Sequence, residues 1–291
     1  MRQRLLPALL IVLLCPLAAA AADDATYSIR FRRQFTAEQV FSVSITHSQR
    51  SSQRTSRSAS NATQTSSVRR VLLDADVHID KVEEKQTKAS VTIRRFELTT
   101  SAGDNGPRPT PATLLSPGTE VLLTYAGDDT SFSLKNQQGL SPDVLTALRQ
   151  CFQTMALSDA LYGTTEKKKV GDSWPLNTKT LVADRTDPVS LDPSQVSGTT
   201  TLKAARQVYG IPCLLLEGTQ TTKDAPVVGI TPKESTANTT FSLTVPEALD
   251  KPLVGYSIKI LRHIVVAGQP SEDATLTADL EESHESTWVP K

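Results

Sequence analysis

The sequence predicts a mainly β protein, in which a long antiparallel curled sheet or half-barrel packs on one long α-helix. Apolar and polar residues alternate along many segments on both sides of the centre of the chain, which is typical of half-buried strands. Only one segment, which begins at Pro142, carries a long apolar stripe at helical spacing. A lone amphipathic helix has to bury that stripe, and only sheet is available to cover it.

The helix is predicted to run from Pro142 to about residue 157. Ser141 can cap it by accepting a hydrogen bond from the first turn. Pro142 suits the first helical position, where its missing N–H has no cost. Gly163 and the polar run after it end the helical segment. The stripe contains Val144, Leu145, Leu148, Cys151, Phe152 and Met155.

The first 22 residues have the pattern of a secretory signal peptide. Arg2 and Arg4 precede an apolar run and five alanines, and cleavage is expected after Ala22. We therefore predict a periplasmic or extracellular protein. The apolar run is short for a membrane span, and no later segment approaches ~20 apolar residues, so a membrane-spanning protein is not expected.

The charge balance gives no argument for a nucleic-acid partner. The chain has 31 basic and 31 acidic residues, and loss of Arg2 and Arg4 with the leader leaves 29 against 31. Such a near-neutral, mixed surface also gives no argument for binding an anionic membrane. Residues 23–291 are predicted to form a single β-rich domain. A second interpretation divides them into two similar sheets, 23–140 and 170–291, joined by the helix 141–162.

Strands are predicted along both halves of the chain. The bulge expected at Arg94-Arg95 follows from a change of alternation phase there. The Ser-, Thr- and Gln-rich segment 48–67 is interpreted as an extended polar hairpin in preference to a disordered linker. The predicted strands are 27–35, 40–46, 68–82, 89–99, 120–125, 131–135, 178–182, 196–209, 211–222, 239–245, 255–267 and 274–288.

Two of these strands carry further expectations. A turn at Gly127-Asp128-Asp129 joins 120–125 to 131–135 in a hairpin. In the last strand the apolar residues Leu276, Ala278 and Leu280 give way to Glu282, His284 and Trp288, so the strand is expected to run off the core toward solvent.

Two cysteines remain after cleavage, Cys151 on the helix stripe and Cys213 in an apolar strand. We favour two buried thiols, while an oxidising compartment leaves a disulfide between them open. No Cys/His spacing resembles a metal site, and no cofactor fingerprint occurs. Four polar residues on one strand face, Asp74, Asp76, His78 and Asp80, are interpreted as a solvated face in preference to a cation site.

The segment Gly171-Asp172-Ser173 invites comparison with serine hydrolases. Trp174-Pro175 prevents a helix from starting after the serine, and no histidine and carboxylate are placed to activate it. We therefore predict a protein that is not an enzyme, and hydrolysis through Ser173 is the least favoured alternative. Gly171, Asp172, Ser173 and Trp174 are predicted to form a structural turn, with Trp174 buried and the two polar side chains bonded to the turn's backbone.

Polar N-terminal strands, the helix that follows Ser141 and the motif Val170-Gly171-Asp172-Ser173-Trp174 resemble a family of secreted bacterial proteins of unknown function. That resemblance implies no activity. The layout of a curled sheet around one helix resembles the lipoprotein-carrier half-barrels. This second resemblance implies a place for acyl chains between sheet and helix.

Two functional hypotheses stay open from the sequence. In the first, a cleft between helix and sheet binds a lipid or another hydrophobic small molecule. In the second, the same residues form a dry core, and the protein is an interaction module for an envelope partner. A cleft lining and a core have the same composition, so the pattern does not separate them. The residues concerned are Val144, Leu148, Phe152 and Met155 on the helix, with Val71, Leu73 and Val77 opposite.

Overall fold

The computed structural model describes residues 25–31, 35–58, 61–84, 86–102, 110–126, 129–136, 139–152, 158–182, 192–224, 232–249, 251–267 and 274–291. Within these ranges twelve strands form one antiparallel sheet that does not close on itself, with few helices. The predicted mainly β fold class is confirmed. The predicted signal peptide, Met155 and the turn residues Gly127 and Asp128 lie outside the described ranges.

The N-terminal half contributes six strands and leads into two helices. They are β1 (Val40–Ser58), β2 (Asn61–Val82), β3 (Thr87–Ala102), β4 (Ala112–Thr113), β5 (Glu120–Ala126), β6 (Asp129–Leu134), α1 (Pro142–Phe152) and α2 (Asp159–Tyr162). The C-terminal half contributes six strands and two 3-10 helices. They are β7 (Ser173–Pro175), the 3-10 helices Thr178–Val182 and Pro193–Gln195, β8 (Val196–Val208), β9 (Ile211–Lys223), β10 (Glu234–Pro246), β11 (Gly255–Ala267) and β12 (Thr275–Pro290).

The two halves are continuous because the first long strand pairs with the last. The strand order is β6-β5-β3-β2-β1-β12-β11-β10-β9-β8-β7, and β4 pairs with β3 away from this path. In the middle of the sheet Val43 lies opposite Trp288, and His47 lies opposite His284. The interpretation with two separate sheets is therefore replaced by one sheet with two halves. Between its two edge strands, β6 and β7, the chain forms α1 and α2.

Alternation along the strands defines what we call the inner face of the sheet. On β1 the inner face carries Phe41, Val43 and Ile45, and on β2 it carries the alternate apolar residues from Val71 to Ile79. The predicted polar hairpin is also confirmed, since β1 and β2 continue past this apolar part. There the hydroxyls of Ser51 and Ser67 are hydrogen-bonded at 2.8 Å. Hydroxyl side chains tolerate strand geometry and pair across it, so a polar sequence still forms a ladder.

The bulge at Arg94 is confirmed. The β2–β3 register shifts between Asp74 and Ala75, so that Arg94 has no partner in the ladder. Its guanidinium instead donates to Ser42 Oγ at 2.7 Å and forms an ion pair with Asp76 at 3.0 Å. A bulge turns one side chain out of the regular alternation, which here places a cation beside the carboxylate of the neighbouring strand.

Three predicted elements are wrong. Residues 27–35 were expected as a strand, but in 25–31 the only sheet-like pairing is the isolated bridge between Tyr27 and Lys168. Residues Thr178–Val182 form a 3-10 helix in place of a strand. The segment 141–162 is not one helix, because Ser158 is extended (φ −71°, ψ 127°) and caps α2 separately, with its hydroxyl accepting from Ala160 N–H at 3.1 Å.

Two apolar clusters fill the inner face. The N-terminal cluster lies between α1 and strands β1, β2, β3 and β5. The C-terminal cluster lies on β8 to β11 and is covered by Ile29, Phe31, α2 and Trp174. The final strand differs from expectation, because His284 and Ser286 are buried, whereas the apolar residues Leu276, Ala278 and Leu280 stay half-exposed.

Candidate functional site

The predicted cleft between helix and sheet is packed core in the described part of the chain. Val144, Leu148 and Phe152 are 6%, 0% and 2% exposed. Their partners on β2, which include Val71 and Leu73, belong to the same N-terminal cluster. Direct packing of this kind leaves no room for a ligand beneath α1. The structure thus places the predicted lining residues together, but as a core and not as a cleft.

The motif from Gly171 to Trp174 forms a tight turn at the start of β7. Gly171 has a φ of +95°, which a side chain would strain. Asp172 Oδ2 accepts the N–H of Lys169 at 2.8 Å, as predicted for a self-bonded turn. Trp174 is buried, and its indole N–H donates to the carbonyl of Tyr162 at 2.8 Å. The motif fixes the start of β7 against α2.

Ser173 differs from the prediction in its partner. Its hydroxyl is exposed and hydrogen-bonds Thr201 Oγ1 at 2.8 Å, across the β7–β8 pair and not within the turn. The four histidines lie on β1, β2, β11 and β12. The nearest of these strands in the order of the sheet is four positions from β7, ~19 Å at ~4.8 Å per strand. The arrangement therefore does not bring Ser173 and a histidine together.

Cys151 and Cys213 are both buried thiols, and no disulfide joins them. Cys151 lies on α1 in the N-terminal cluster. Cys213 lies on β9 opposite Pro246, in the other half of the sheet. Burial raises the pKa of the Cys151 thiol, so it behaves as a small apolar side chain.

The row of acidic residues on β2 is neutralised by protein cations. Asp76 pairs with Arg94 at 3.0 Å and with Lys291 at 2.8 Å. Asp80 Oδ1 lies 2.7 Å from His78 Nδ1. Among the described residues, no group of three or more His, Cys, Asp or Glu side chains is arranged to hold a metal ion. In the same ranges, no helix has the length and apolarity needed to cross a membrane.

A polar group that the sequence interpretation missed lies between the two apolar clusters. We call it the seam cluster: His47 on β1, Arg69 on β2, Gln150 on α1, and Glu282 and His284 on β12. The two imidazoles face each other across the β1–β12 pair, with ring centres 6.1 Å apart. His47 is 4% and His284 6% exposed. His47 could have been found, because it continues the inner-face alternation of Phe41, Val43 and Ile45.

Burial keeps both seam imidazoles neutral. It lowers the pKa of His284 to about 4, His47 lowers that pKa further, and a hydrogen bond with the backbone of Gln150 opposes the shift. Burial also lowers the pKa of His47, and the charge of Glu282 opposes that shift, its carboxylate standing 3.9 Å from His47 Nε2. In the described residues, His47 Nδ1 and Gln150 Oε1 are buried without a hydrogen-bond partner.

Beyond the seam cluster the inner face carries a second feature, which we call the distal strip: Ile264, Leu276, Ala278 and Leu280. Alternate residues of β12 share a face, so these β12 positions lie on the same side as His284. Ile264 on β11 lies opposite Ala278. All four side chains are half-buried. On β1 the strip is flanked by polar residues, since Ser51, Gln53 and Thr55 lie opposite Leu280, Ala278 and Leu276.

No protein-family model matches the chain, and no curated protein matches it. Among solved structures, one of lipid–protein interactions in lipovitellin is similar to 88% of this chain, with 9% identity and a TM-score of 0.38. The match covers 25% of that protein, so the chain spans about a quarter of its length. A similarity of this size says nothing about the ligand of this chain.

Proposed function

We propose that the protein is a non-catalytic binding protein of the periplasm or the extracellular space, and that it holds a lipid or another apolar molecule on the inner face of its sheet. The observation that supports this is the distal strip, a row of half-buried apolar side chains on the inner face. It lies away from α1, because Leu276 stands eight residues before His284 on β12, ~26 Å at ~3.3 Å per residue. The proposed site is therefore not the helix–sheet interface that the sequence suggested.

The size of the strip limits the affinity that apolar contact supplies. A chain that buries ~200 Å² of apolar surface gains ~5 kcal/mol at ~25 cal/mol per Å². Loss of translational freedom and ordering of the ligand reduce that gain. Apolar contact alone therefore supports weak binding. The polar wall of Ser51, Gln53 and Thr55 favours an amphipathic lipid over a purely apolar one, because a polar group can bond there while its chain covers the strip.

Binding can be tested with a neutral dye, N-phenyl-1-naphthylamine, whose fluorescence rises in apolar surroundings. We expect enhancement with the wild-type protein, and loss of most of it in Leu280→Arg, which puts a charge in the strip. Leu261→Arg is the matched control: Leu261 is 44% exposed, and its odd position on β11 puts it on the outer face. Equal dye binding by both variants, or none by the wild type, would contradict the proposal. Native mass spectrometry of the protein from its own host, followed by organic extraction, identifies a natural ligand.

A second candidate is an interaction module for an envelope protein. The packed core beneath α1 favours it, because that core leaves the helix stripe with no role in binding. Its binding surface would be the polar part of the β1–β2 hairpin. The two candidates separate in one experiment: cross-linking in the host that captures the same partner with wild type and Leu280→Arg, together with no dye or lipid binding, favours the interaction module.

A further inference from the structure

Arg69 occupies the position on β2 where the apolar part of the inner face ends. It follows Val71 in the inner-face alternation and lies opposite Gln49 of β1, which in turn lies opposite Glu282 of β12. Arg69 is half-buried. Its backbone takes part in the sheet, but among the described residues its guanidinium is in no ion pair or side-chain hydrogen bond. A guanidinium that is partly removed from water without an acceptor is costly, since all five of its N–H groups are donors.

The charge of Arg69 reaches the centre of the seam cluster. After burial and the opposing charge of Glu282, it is the next influence on the pKa of His47. It also affects the thiol of Cys151 on α1, whose pKa burial raises and Arg69 lowers. Arg69 shares the inner face of the sheet with His47, which lies on the neighbouring strand two residues along from Gln49, the register partner of Arg69. The half-buried Arg69 and the unbonded Nδ1 of His47 are thus inner-face neighbours, although buried polar groups are normally hydrogen-bonded.

This place adjoins the distal strip. Leu280 is the next inner-face residue after Glu282 on β12, ~7 Å away along the strand, and Arg69 lies two strands across from Glu282, ~10 Å. The strip then continues from Leu280 to Leu276 over four residues, ~13 Å. On β11 the exposed Arg262 lies opposite Leu280 on the same face. Cations at this end and an apolar row that continues to Leu276 match a molecule with an anionic head and an apolar chain.

We infer, on the basis of the proposed function, that the ligand is an anionic amphiphile whose charged oxygen head pairs with Arg69 while its chain covers the distal strip. Arg69 binds a carboxylate or phosphate oxygen through its fork of N–H groups. His47 adds a hydrogen bond through Nδ1 when that nitrogen carries the proton. Glu282 opposes the anion from the same row, so the head lies on the β2 side of Gln49.

The test compares ligands that differ only in the head. Displacement of the neutral dye is measured with oleate and with oleyl alcohol, which share a chain. A hydrogen bond to a charged group changes affinity ~10-fold or more, so we expect oleate to bind wild type at least ~10-fold more tightly. Arg69→Gln should remove that difference and leave oleyl alcohol unaffected. Arg69→Lys should retain part of it, because the charge remains.

Arg70→Gln is the matched control, because Arg70 is the next residue, is exposed and points to the outer face. It should bind oleate as wild type does. Acetate and inorganic phosphate, which have the head chemistry without the chain, should not displace the dye. If phosphate alone displaced it as well as oleate, the site would bind a free anion, and the inference of an amphiphile would be overturned.

The failures of the inference and of the proposed function differ. If both oleate and oleyl alcohol bind with equal affinity, or if Arg70→Gln weakens oleate as much as Arg69→Gln does, the head site is wrong and the apolar site stands. If neither binds, the proposed function fails and the inference falls with it. Circular dichroism and the Tm of each variant check folding. If Arg69→Gln does not fold, the wild type alone still tests the head site. Tighter binding of oleate than of oleyl alcohol that is lost at high salt supports an ionic contact with the head, and equal binding of the two contradicts it.

Discussion

The two apolar clusters share one face of one sheet, but they are covered by different means. The N-terminal cluster is covered by α1, whose stripe includes Ala147 and Leu148. The C-terminal cluster is covered by short and irregular segments that hydrogen bonds hold in place. Asp159 accepts the N–H of Phe31 at 2.5 Å, and the carbonyl of Tyr162 accepts from both Trp174 and Thr200 Oγ1, the latter at 3.1 Å.

The difference follows from where each cover finds its backbone hydrogen bonds. A helix satisfies its own interior N–H and C=O groups, so it can cover a sheet with apolar side chains alone. An irregular segment has to bond its backbone to other groups, and in a buried place those groups are protein side chains. The N-terminal cover should therefore depend on packing volume, and the C-terminal cover on single hydrogen bonds.

The largest expected effect lies in the N-terminal cluster. Phe152 is 2% exposed and packs on Phe132, with ring centres 6.0 Å apart. Phe152→Ala should lower the free energy of unfolding by ~3–5 kcal/mol, because a cavity replaces the ring. Leu280→Ala in the half-exposed distal strip should cost ~1 kcal/mol. Urea unfolding followed by circular dichroism measures both. Equal losses would mean that the strip is core and not an open face.

The next effect concerns the seam between the clusters. The pKa of His284 is lowered to about 4 in the fold, whereas an unfolded histidine titrates near ~6.5. Below pH ~6.5 the histidine of the unfolded chain takes up a proton, whereas His284 in the folded protein stays neutral until the pH approaches 4. The free energy of unfolding therefore falls as the pH drops from ~6.5 towards 4. The loss attributable to His284 is ~3 kcal/mol at the acid end. His47, whose pKa is also lowered, adds to it in the same direction.

Urea unfolding at pH 7.5, 6, 5 and 4.5 measures this loss. In His284→Gln the free energy of unfolding should depend less steeply on pH, because the titrating imidazole is absent. His78→Gln is the control. The His78 side chain is 40% exposed, and its hydrogen bond to Asp80 raises its pKa, so its removal should leave the acid loss in place. A slope that is unchanged in His284→Gln would place the acid sensitivity outside the seam.

The sequence predicted what alternation and capping determine. Regular strands, the bulge at Arg94, the polar hairpin and the start of α1 at Pro142 depend on local patterns, and these predictions were correct. The strand expected at 27–35 was wrong although Ile29 and Phe31 are buried. Alternation of apolar and polar residues shows that every second side chain is buried, but a strand also needs a neighbouring strand for its backbone hydrogen bonds.

The candidate site depended on contacts that the sequence does not show. His47 and His284 are 237 positions apart and meet only because β1 pairs with β12. The pattern of β12 predicts that Leu276, Ala278 and Leu280 face the core and that His284 lies towards solvent, whereas in the structure His284 is buried and the three apolar residues are half-exposed. Which part of an alternating strand is covered depends on where α1 and the irregular segments lie, and that is a property of the whole fold.

The smallest effect tests the bonds of the C-terminal cover. Trp174→Phe keeps most of the ring but removes the indole N–H that bonds Tyr162, and Thr200 remains as the only one of that carbonyl's two described side-chain donors. We expect a loss of ~1–2 kcal/mol in the free energy of unfolding, the usual cost of a buried hydrogen bond. Ser173→Ala, one residue away on the exposed side of β7, should change the free energy of unfolding by less than ~0.5 kcal/mol. The same two variants test the hydrolase alternative, because a fluorophosphonate probe that labels wild type and Trp174→Phe but not Ser173→Ala would identify Ser173 as a nucleophile.

Urea unfolding of Trp174→Phe can also contradict the comparison of the two covers. If this variant unfolded with the same free energy as the wild type, the indole would act through its volume alone. The two covers would then depend on the same kind of contact.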